Sequence, residues 1–156
     1  MKQEIERKFL VRSPSWRAAA ISAVRILQGY LCGDPDRTVR VRMAGASAWI
    51  TIKGRSHGAA RAEFEYPIPV EEARFLLEHI CLPGRIEKTR HVVPCGGLLF
   101  EVDEFHGENV GLILAEVELP ATETEIERPE WLGEEVTGDE RFYNAYLARH
   151  PYSTWK

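Results

Sequence analysis

The chain has 156 residues with a formal net charge of −4, and 44% of its residues are hydrophobic and 28% charged. This length and composition predict one globular domain, residues 1–156, with an ordinary buried core. The negative charge argues against duplex nucleic acid as a partner, because the overall field repels a polyanion.

No segment has the pattern of a signal peptide or a membrane-spanning helix. The stretch 1–10 is mostly charged, and no apolar run approaches the roughly 20 residues that a membrane helix needs. The three cysteines, Cys32, Cys81 and Cys95, fit no zinc-binding spacing, so reduced thiols are expected. These features predict a cytoplasmic protein without a membrane partner.

Alternation of charged and apolar residues dominates the chain and predicts β-strands. In the first strand Glu4, Glu6 and Lys8 lie on one face and Ile5 lies on the other. The third and fourth strands flank Gly45 and are predicted to form a hairpin. The eight predicted strands span residues 2–11, 25–32, 38–44, 48–55, 61–68, 85–93, 98–105 and 112–119.

Three helices are predicted between and after the strands. Ser13-Pro14 is typical of a helix start and predicts a helix over 14–22. Apolar residues at helical spacing predict a second helix over 70–80. A capping box at 137–140 opens a third helix over 139–149. We expect these helices to cover the apolar face of the sheet from outside.

The sixth predicted strand, 85–93, departs from the pattern of its neighbours. Glu87 and His91 lie opposite Lys88 and Arg90, so neither face is apolar. We expect this strand to be an edge strand or to be less completely covered.

Six strands carry two side chains of the same charge sign at positions i and i+2. Such side chains lie about 6.5 Å apart, and their repulsion costs about 2–3 kcal/mol at an effective dielectric constant near 20. One pair is ordinary solvated surface, but six pairs in alternating blocks of acid and base indicate a function. The pairs are Glu4/Glu6, Arg40/Arg42, Glu63/Glu65, Lys88/Arg90, Glu101/Asp103 and Glu116/Glu118.

If the helices cover the apolar face from outside, the charged faces converge inside a closed or nearly closed barrel. Clustered carboxylates there would bind divalent metal ions through oxygen, and clustered Arg and Lys would bind phosphate oxygens. A polyphosphate that carries a metal ion satisfies both groups. The sequence therefore predicts an α+β, mainly β fold: an eight-stranded antiparallel, closed or nearly closed β-barrel with helices packed outside.

The motif Glu4-Ile5-Glu6-Arg7-Lys8 has the ExExK pattern, and the chain resembles the CYTH superfamily, also called triphosphate tunnel metalloenzymes. The resemblance covers almost the whole chain, because the charged motifs follow one another in the order of that superfamily. Residues 133–137 with Arg141 are similar to the C-terminal part of the small bacterial tripolyphosphatases. The other motifs are Arg40-x-Arg42, Thr51-x-Lys53, Arg61-x-Glu63-x-Glu65, Lys88-x-Arg90, Glu101-x-Asp103 and Glu116-x-Glu118.

The resemblance implies a role for each group of charged residues. The implied phosphate-binding residues are Lys8, Arg40, Arg42, Lys53, Arg61, Lys88 and Arg90. The implied metal ligands are Glu4, Glu6, Glu63, Glu65, Glu101, Asp103, Glu116 and Glu118, with Mg²⁺ or Mn²⁺ as the cofactor. The implied catalytic residues are Glu4, Glu6, Lys8 and Lys88. In that reaction a metal-activated water attacks the terminal phosphoanhydride of a triphosphate.

Inorganic tripolyphosphate, cleaved to pyrophosphate and phosphate, is the predicted small-molecule substrate. Only Trp49 and Tyr30 are clear aromatic candidates for contact with an organic group, and no inserted loop is evident. We expect a monomer or a homodimer.

Other functions stay open at this point. The same superfamily includes nucleoside, RNA 5′- and thiamine triphosphatases and adenylyl cyclases, although the His-Phe that precedes ExExK in the cyclase branch is absent here. A non-catalytic module that binds polyphosphate or nucleotides is a further alternative.

Overall fold

The computed structural model describes residues 2–155, and nine β-strands lie within them. All strand pairs are antiparallel. The strands are β1 (Lys2–Val11), β2 (Ser22–Cys32), β3 (Arg37–Ala44), β4 (Ser47–Gly54), β5 (Ala60–Pro67), β6 (Ile86–Cys95), β7 (Leu98–Phe105), β8 (Ile113–Glu118) and β9 (Leu132–Glu135).

Eight of these strands close into a barrel. Their order is β5-β4-β3-β2-β6-β7-β8-β1, and pairing of β5 with β1 completes the ring. The first half of β1 pairs with β5, whereas Phe9 and Val11 pair with β9. The predicted closed antiparallel barrel is therefore confirmed. Strand β9 was not predicted, because its four residues, Leu-Gly-Glu-Glu, show no alternation.

The helices are shorter than predicted. The first ends early because the backbone N–H of Ile21 donates to the Val92 carbonyl at 2.9 Å and begins the pairing of β2 with β6. The third is divided by the extended backbone of Tyr143. The elements are α1 (Trp16–Ala19), α2 (Val70–Phe75) continued by a π-helical turn at Leu76–Ile80, α3 (Asn144–Arg149), and 3-10 turns at Gly107–Asn109, Glu140–Phe142 and Tyr152–Thr154.

Two apolar clusters lie on the outer face of the barrel. In the first, Trp16 of α1 packs with Phe9, Phe100 and other side chains of β1, β7 and β8. In the second, Ala73 and Leu77 cover β3 and β4. The helix can approach closely because β2 carries glycine at its contact: a Cβ on Gly29 would lie 3.0 Å from Leu77 Cδ2.

The outward-facing apolar residues are not all covered as expected. Val41, Val102 and Val117 are fully buried. Ile52 and Phe64, which are cross-strand partners on β4 and β5, are 38% and 37% exposed. The expectation is wrong for these two, because α2 packs on the β3 side and leaves this part of the outer face open.

A third apolar cluster fills part of one end of the barrel interior. Ile86, Phe105 and Leu114 belong to it and lie on the inner face, each two residues from a charged inner residue of its strand. Phe142 and Leu147 of the C-terminal segment pack against them. This segment thus enters the barrel, instead of only covering it from outside as expected.

The expectation of an edge position for the sixth strand is wrong. Strand β6 pairs with β2 on one side and β7 on the other. The alternative, incomplete cover, holds: Glu87 is exposed and Thr89 and His91 are half-buried. In the part of the chain that is described, no helix is long and apolar enough to cross a membrane.

Candidate active site

The charged strand faces meet in one cavity inside the barrel, with a volume of about 190 Å³. All seven cationic residues predicted to bind phosphate line it, as do six of the eight predicted metal ligands. The cations are Lys8, Arg40, Arg42, Lys53, Arg61, Lys88 and Arg90. The carboxylates are Glu4, Glu6, Glu63, Glu65, Glu101 and Glu116.

The two remaining carboxylates, Asp103 and Glu118, are not part of the lining. Asp103 is buried, and its two oxygens accept hydrogen bonds from Lys88 Nζ at 2.8 Å and from Arg90 Nε and Nη2 at 2.8 and 2.9 Å. Glu118 is half-exposed at the end of β8 and pairs with Lys2 Nζ at 2.9 Å. Asp103 therefore serves as a counterion for two cations, and Glu118 lies outside the cavity.

Two arginines of β3 form a basic wall with unused hydrogen-bond donors. Arg42 Nε donates to Gln28 Oε1 at 2.8 Å, while its two terminal nitrogens make no hydrogen bond within residues 2–155. Arg40 Nη2 donates to Thr51 Oγ1 at 3.1 Å, but its Nε is buried without a partner. Burial, with repulsion from Arg40 and Arg90, lowers the pKa of Arg42 to about 9.

Lys88 is the most deeply buried cation of the site, with only 1% of its side chain exposed. Its ammonium donates to Asp103 Oδ2 and to Asn144 Oδ1, each at 2.8 Å. Burial lowers its pKa to about 7, and the positive charges of Arg90 and Arg42 reinforce the shift while Asp103 opposes it. Lys88 is thus partly neutral near pH 7 and can gain charge when an anion arrives.

Lys8 and Arg61 are anchored to the main chain. Lys8 Nζ donates to the Phe142 carbonyl at 3.0 Å. Arg61 donates through Nε to the Gly54 carbonyl at 2.6 Å and through Nη2 to Thr38 Oγ1 at 2.8 Å. Arg61 therefore joins the ends of β3, β4 and β5 besides lining the cavity.

The glutamates that line the cavity form an acidic wall, and cations on other strands make ion pairs with most of them. Lys53 Nζ lies 2.8 Å from Glu4 Oε2 and 3.5 Å from Glu63 Oε2. Burial opposes ionisation of Glu4, but Lys53 outweighs it and lowers the pKa of that carboxyl.

Glu6 and Glu116 differ in protonation although both face the same cavity. Burial and the charges of Glu116 and Glu4 raise the pKa of Glu6 to about 8. Burial also opposes ionisation of Glu116, yet Lys8 and Arg90 hold its pKa well below the usual range. Glu6 is therefore a carboxyl whose negative charge the surrounding protein disfavours.

This donor set fits a divalent metal ion. Within residues 2–155, no three His, Cys, Asp or Glu side chains lie close enough together to form a pre-arranged metal site. Five of the lining carboxylates, Glu4, Glu63, Glu65, Glu101 and Glu116, are instead paired with lysines and arginines. Mg²⁺ and Mn²⁺ prefer carboxylate oxygen, and the raised pKa of Glu6 marks a position where added positive charge is favourable.

The C-terminal segment supplies lining residues that the sequence did not reveal. They lie in the predicted third helix or in the capping box before it, and no charge pattern separates them from outer residues. Of the two aromatic candidates for contact with an organic group, Tyr30 lines the cavity and Trp49 does not. The added lining residues of this segment are Thr137, Gly138, Glu140, Tyr143, Asn144, Ala145, Tyr146 and Arg149.

Known proteins are similar to this chain in sequence and in fold. The family model described as CYTH domain matches residues 2–143. An inorganic triphosphatase of Acetivibrio thermocellus is 44% identical over 156 residues, which is 100% of this chain and 99% of the relative. An inorganic triphosphatase of Nitrosomonas europaea is 38% identical over 151 residues, 93% of this chain and 96% of the relative. The crystal structure of the inorganic triphosphatase NE1496 matches with a TM-score of 0.63 and 36% identity, over 93% of this chain and 97% of that one.

Proposed function

This chain belongs to the CYTH domain family, and we propose that it is a metal-dependent triphosphatase that cleaves inorganic tripolyphosphate to pyrophosphate and phosphate. Two bacterial relatives that it matches over nearly their whole length carry the name inorganic triphosphatase. The charged motifs that suggested the resemblance lie around one cavity, which is the place where such a reaction would occur.

The observation that carries the proposal is the set of unused donors on the basic wall. Arg40 Nε is buried without a partner, and both terminal nitrogens of Arg42 lack one within residues 2–155. A buried donor without a partner costs about 1–3 kcal/mol. Phosphate oxygens would satisfy these donors, and cations that arrive with the phosphates would satisfy the opposing carboxylates.

The cations and the carboxylates of the cavity then have different roles. The seven lining cations bind phosphate oxygens and hold the phosphate chain in line for attack. Glu4 and Glu6 position the attacking water, because a carboxylate accepts a hydrogen bond from water. We leave Asp103 out of the metal set, since its oxygens already accept bonds from Lys88 and Arg90. Glu118, at the end of β8, stays a candidate metal ligand.

The lining glutamates that would hold a divalent ion are chiefly Glu4, Glu6, Glu63 and Glu116, with Glu65 and Glu101 nearby. When bound, Mg²⁺ or Mn²⁺ neutralises phosphate charge and makes a coordinated water more acidic. Lys8 and Lys88 stabilise charge on the phosphoryl group that is transferred.

Tripolyphosphate is proposed over ATP and thiamine triphosphate because the cavity offers little to an organic group. Trp49 is not on the lining. The ring of Tyr143 already faces Lys8 Nζ at 5.6 Å and the Arg61 guanidinium at 5.9 Å. Tyr146 packs against His150, with ring centroids 4.4 Å apart. A nucleoside would therefore add little binding energy to that of its phosphates.

The test is release of phosphate from tripolyphosphate, ATP and thiamine triphosphate at one concentration of Mg²⁺ or Mn²⁺, with a chelator control. We expect the highest kcat/KM for tripolyphosphate and no activity with chelator. A higher value for ATP or thiamine triphosphate would replace the proposed substrate. Formation of cyclic AMP would identify a cyclase, and binding without turnover a non-catalytic module.

The location and assembly of the protein stay predictions of the sequence. We infer a cytoplasmic protein that is a monomer or homodimer. Fractionation of cells and light scattering of the purified protein would test these two points.

A further inference from the structure

Asn144, the first residue of α3, links the C-terminal segment to Lys88 on β6 and, through Gln28, to Arg42 on β3. Its Oδ1 accepts hydrogen bonds from Lys88 Nζ at 2.8 Å and from Gln28 Nε2 at 3.1 Å. Gln28 Oε1 accepts one from Arg42 Nε at 2.8 Å. A continuous chain of contacts thus runs from Arg42 on β3 through β2 and α3 to Lys88 on β6.

The direction of each hydrogen bond in this chain is fixed by its two ends. The ammonium group of lysine and the guanidinium group of arginine can only donate, so an amide oxygen faces Arg42 and another faces the charged form of Lys88. Gln28 then presents its NH₂ group to the oxygen of Asn144, as observed. Turning either amide over would set two donors against each other in a buried place, which is costly.

The cationic members of this hydrogen-bonded chain, Lys88 and Arg42, keep donors available to a ligand. In its charged form Lys88 has three N–H donors, of which Asp103 and Asn144 accept two. The terminal nitrogens of Arg42 make no hydrogen bond within residues 2–155. Gln28 is fully buried, although its hydrogen bonds to Arg42 and Asn144 are only partly buried.

We propose that Asn144 is a positioning residue for the triphosphate: it orients Lys88 directly, and Arg42 through Gln28, so that their free donors meet phosphate oxygens. The proposal rests on the triphosphatase function proposed above. It gives the C-terminal segment a part in substrate binding, because Asn144 is the member of the chain that does not belong to the barrel wall.

The test compares Asn144→Ala with Asn109→Ala in the full chain. Asn109 Oδ1 accepts the backbone N–H of Tyr152 at 2.8 Å and so also holds the C-terminal segment, but Asn109 does not line the cavity. Binding of metal-free tripolyphosphate is measured by calorimetry, and KM and kcat by phosphate release. For Asn144→Ala we expect Kd and KM to rise roughly tenfold, as for loss of a hydrogen bond to a charged group. For Asn109→Ala we expect both to stay unchanged.

A double-mutant cycle separates positioning from general loosening. Gln28→Ala removes the link to Arg42. The loss of binding free energy in the double variant Gln28→Ala/Asn144→Ala should therefore be smaller than the sum of the losses in the two single variants. Gln28→Ala and Asn109→Ala should add fully. Equal weakening by Asn144→Ala and Asn109→Ala, or an unchanged Kd for Asn144→Ala, would overturn the proposal.

Two further points keep the test decisive. If thermal denaturation shows that Asn144→Ala does not fold, Asn144→Ser takes its place, because its shorter side chain is small, polar and unable to bridge both partners. Since Kd is measured without turnover, a wild-type protein that binds tripolyphosphate but does not cleave it would contradict the proposed function and leave this comparison valid.

Discussion

Arg42 and Arg61 line the same cavity, but their guanidinium groups are used differently. Arg42 makes one hydrogen bond, to Gln28, and keeps its terminal nitrogens free within residues 2–155. Arg61 is engaged by Gly54 and Thr38 at the ends of β4 and β3. Sequence motifs gave both residues the same implied role, because a motif indicates the residue type and the face but not the partners of each donor.

Replacement of these two arginines should therefore have different effects. For Arg42→Ala we expect KM for tripolyphosphate to rise about 10- to 100-fold, the value of a lost hydrogen bond between charged groups. For Arg61→Ala we expect the larger loss in the free energy of unfolding, about 1–3 kcal/mol. Steady-state kinetics and urea denaturation of both variants check this. A larger rise of KM for Arg61→Ala would assign the main phosphate contact to that residue.

The lowered pKa of Lys88 predicts proton uptake when the triphosphate binds. With a pKa lowered to about 7, Lys88 is mostly neutral at pH 8 and mostly charged at pH 6. A bound polyanion favours the ammonium and raises the pKa, so the protein takes up a proton at pH 8 and little at pH 6. The contribution of Lys88 to affinity should accordingly fall as the pH rises through 7.

Calorimetry in two buffers of different ionisation enthalpy measures this uptake. Tripolyphosphate itself titrates, so the relevant quantity is the difference between wild type and Lys88→Met. We expect up to one proton more for wild type at pH 8. Equal proton uptake by both proteins at pH 8 would show that Lys88 is already charged there.

Among the secondary-structure elements, α3 depends on the glycine that it contacts before β6. Gly84 has a φ of +92°, and a Cβ there would lie 1.9 Å from the Ala148 carbonyl oxygen. Only a residue without a side chain allows α3 to pack this closely. Gly97, in the hairpin between β6 and β7, has a φ of +78° but nothing within 4 Å of a Cβ.

The variants Gly84→Ala and Gly97→Ala separate backbone strain from the clash. Both introduce a side chain at positive φ, which costs about 1–2 kcal/mol. Gly84→Ala must also displace α3, so we expect a further loss of about 1–3 kcal/mol in the free energy of unfolding. Equal destabilisation in urea denaturation would mean that α3 adapts without cost.

The sequence predicted the eight barrel strands well, because alternation of charged and apolar residues indicates directly which face of a strand each residue lies on. It failed where a segment is fixed by contacts distant in sequence. Strand β9 forms because Gly133 lets it approach the Leu10 carbonyl, where a Cβ would lie at 2.9 Å. The division of the third predicted helix, and the entry of Asn144 into the cavity, depend on the apolar cluster inside the barrel. The charged lining was predictable as a set, but not the pairing of Asp103 with Lys88 and Arg90.

At the scale of the whole molecule, many charges of the ligand-free protein are confined in one cavity. Glu6 with a pKa of about 8 and Arg42 with one of about 9 show that the protein alone does not balance them. A ligand that supplies both phosphate and metal should relieve repulsion on both walls.

Tripolyphosphate with Mg²⁺, in an excess that outlasts its cleavage during the scan, is therefore expected to raise the melting temperature. At a free concentration 100 times its Kd, a ligand stabilises the folded state by about 2.7 kcal/mol, and 1 kcal/mol shifts the melting temperature by about 2–4 °C for a chain of this size. Differential scanning calorimetry measures the shift, with Arg42→Ala as the control at the same ligand concentration. An equal shift for that variant would argue that the ligand binds elsewhere.

The pairing of β1 also sets the order in which the protein can mature. Glu6 to Leu10 pair with residues of β8 that are synthesised about a hundred residues later. Contacts so distant in sequence form slowly, because a long loop must close before any of them forms. During synthesis the ring stays open until β8 has left the ribosome, because the Glu6–Leu10 part of β1 has no β8 partner before then. Capture of metal and phosphate should accordingly follow translation, so that a stalled or truncated chain lacking β8 has no binding activity.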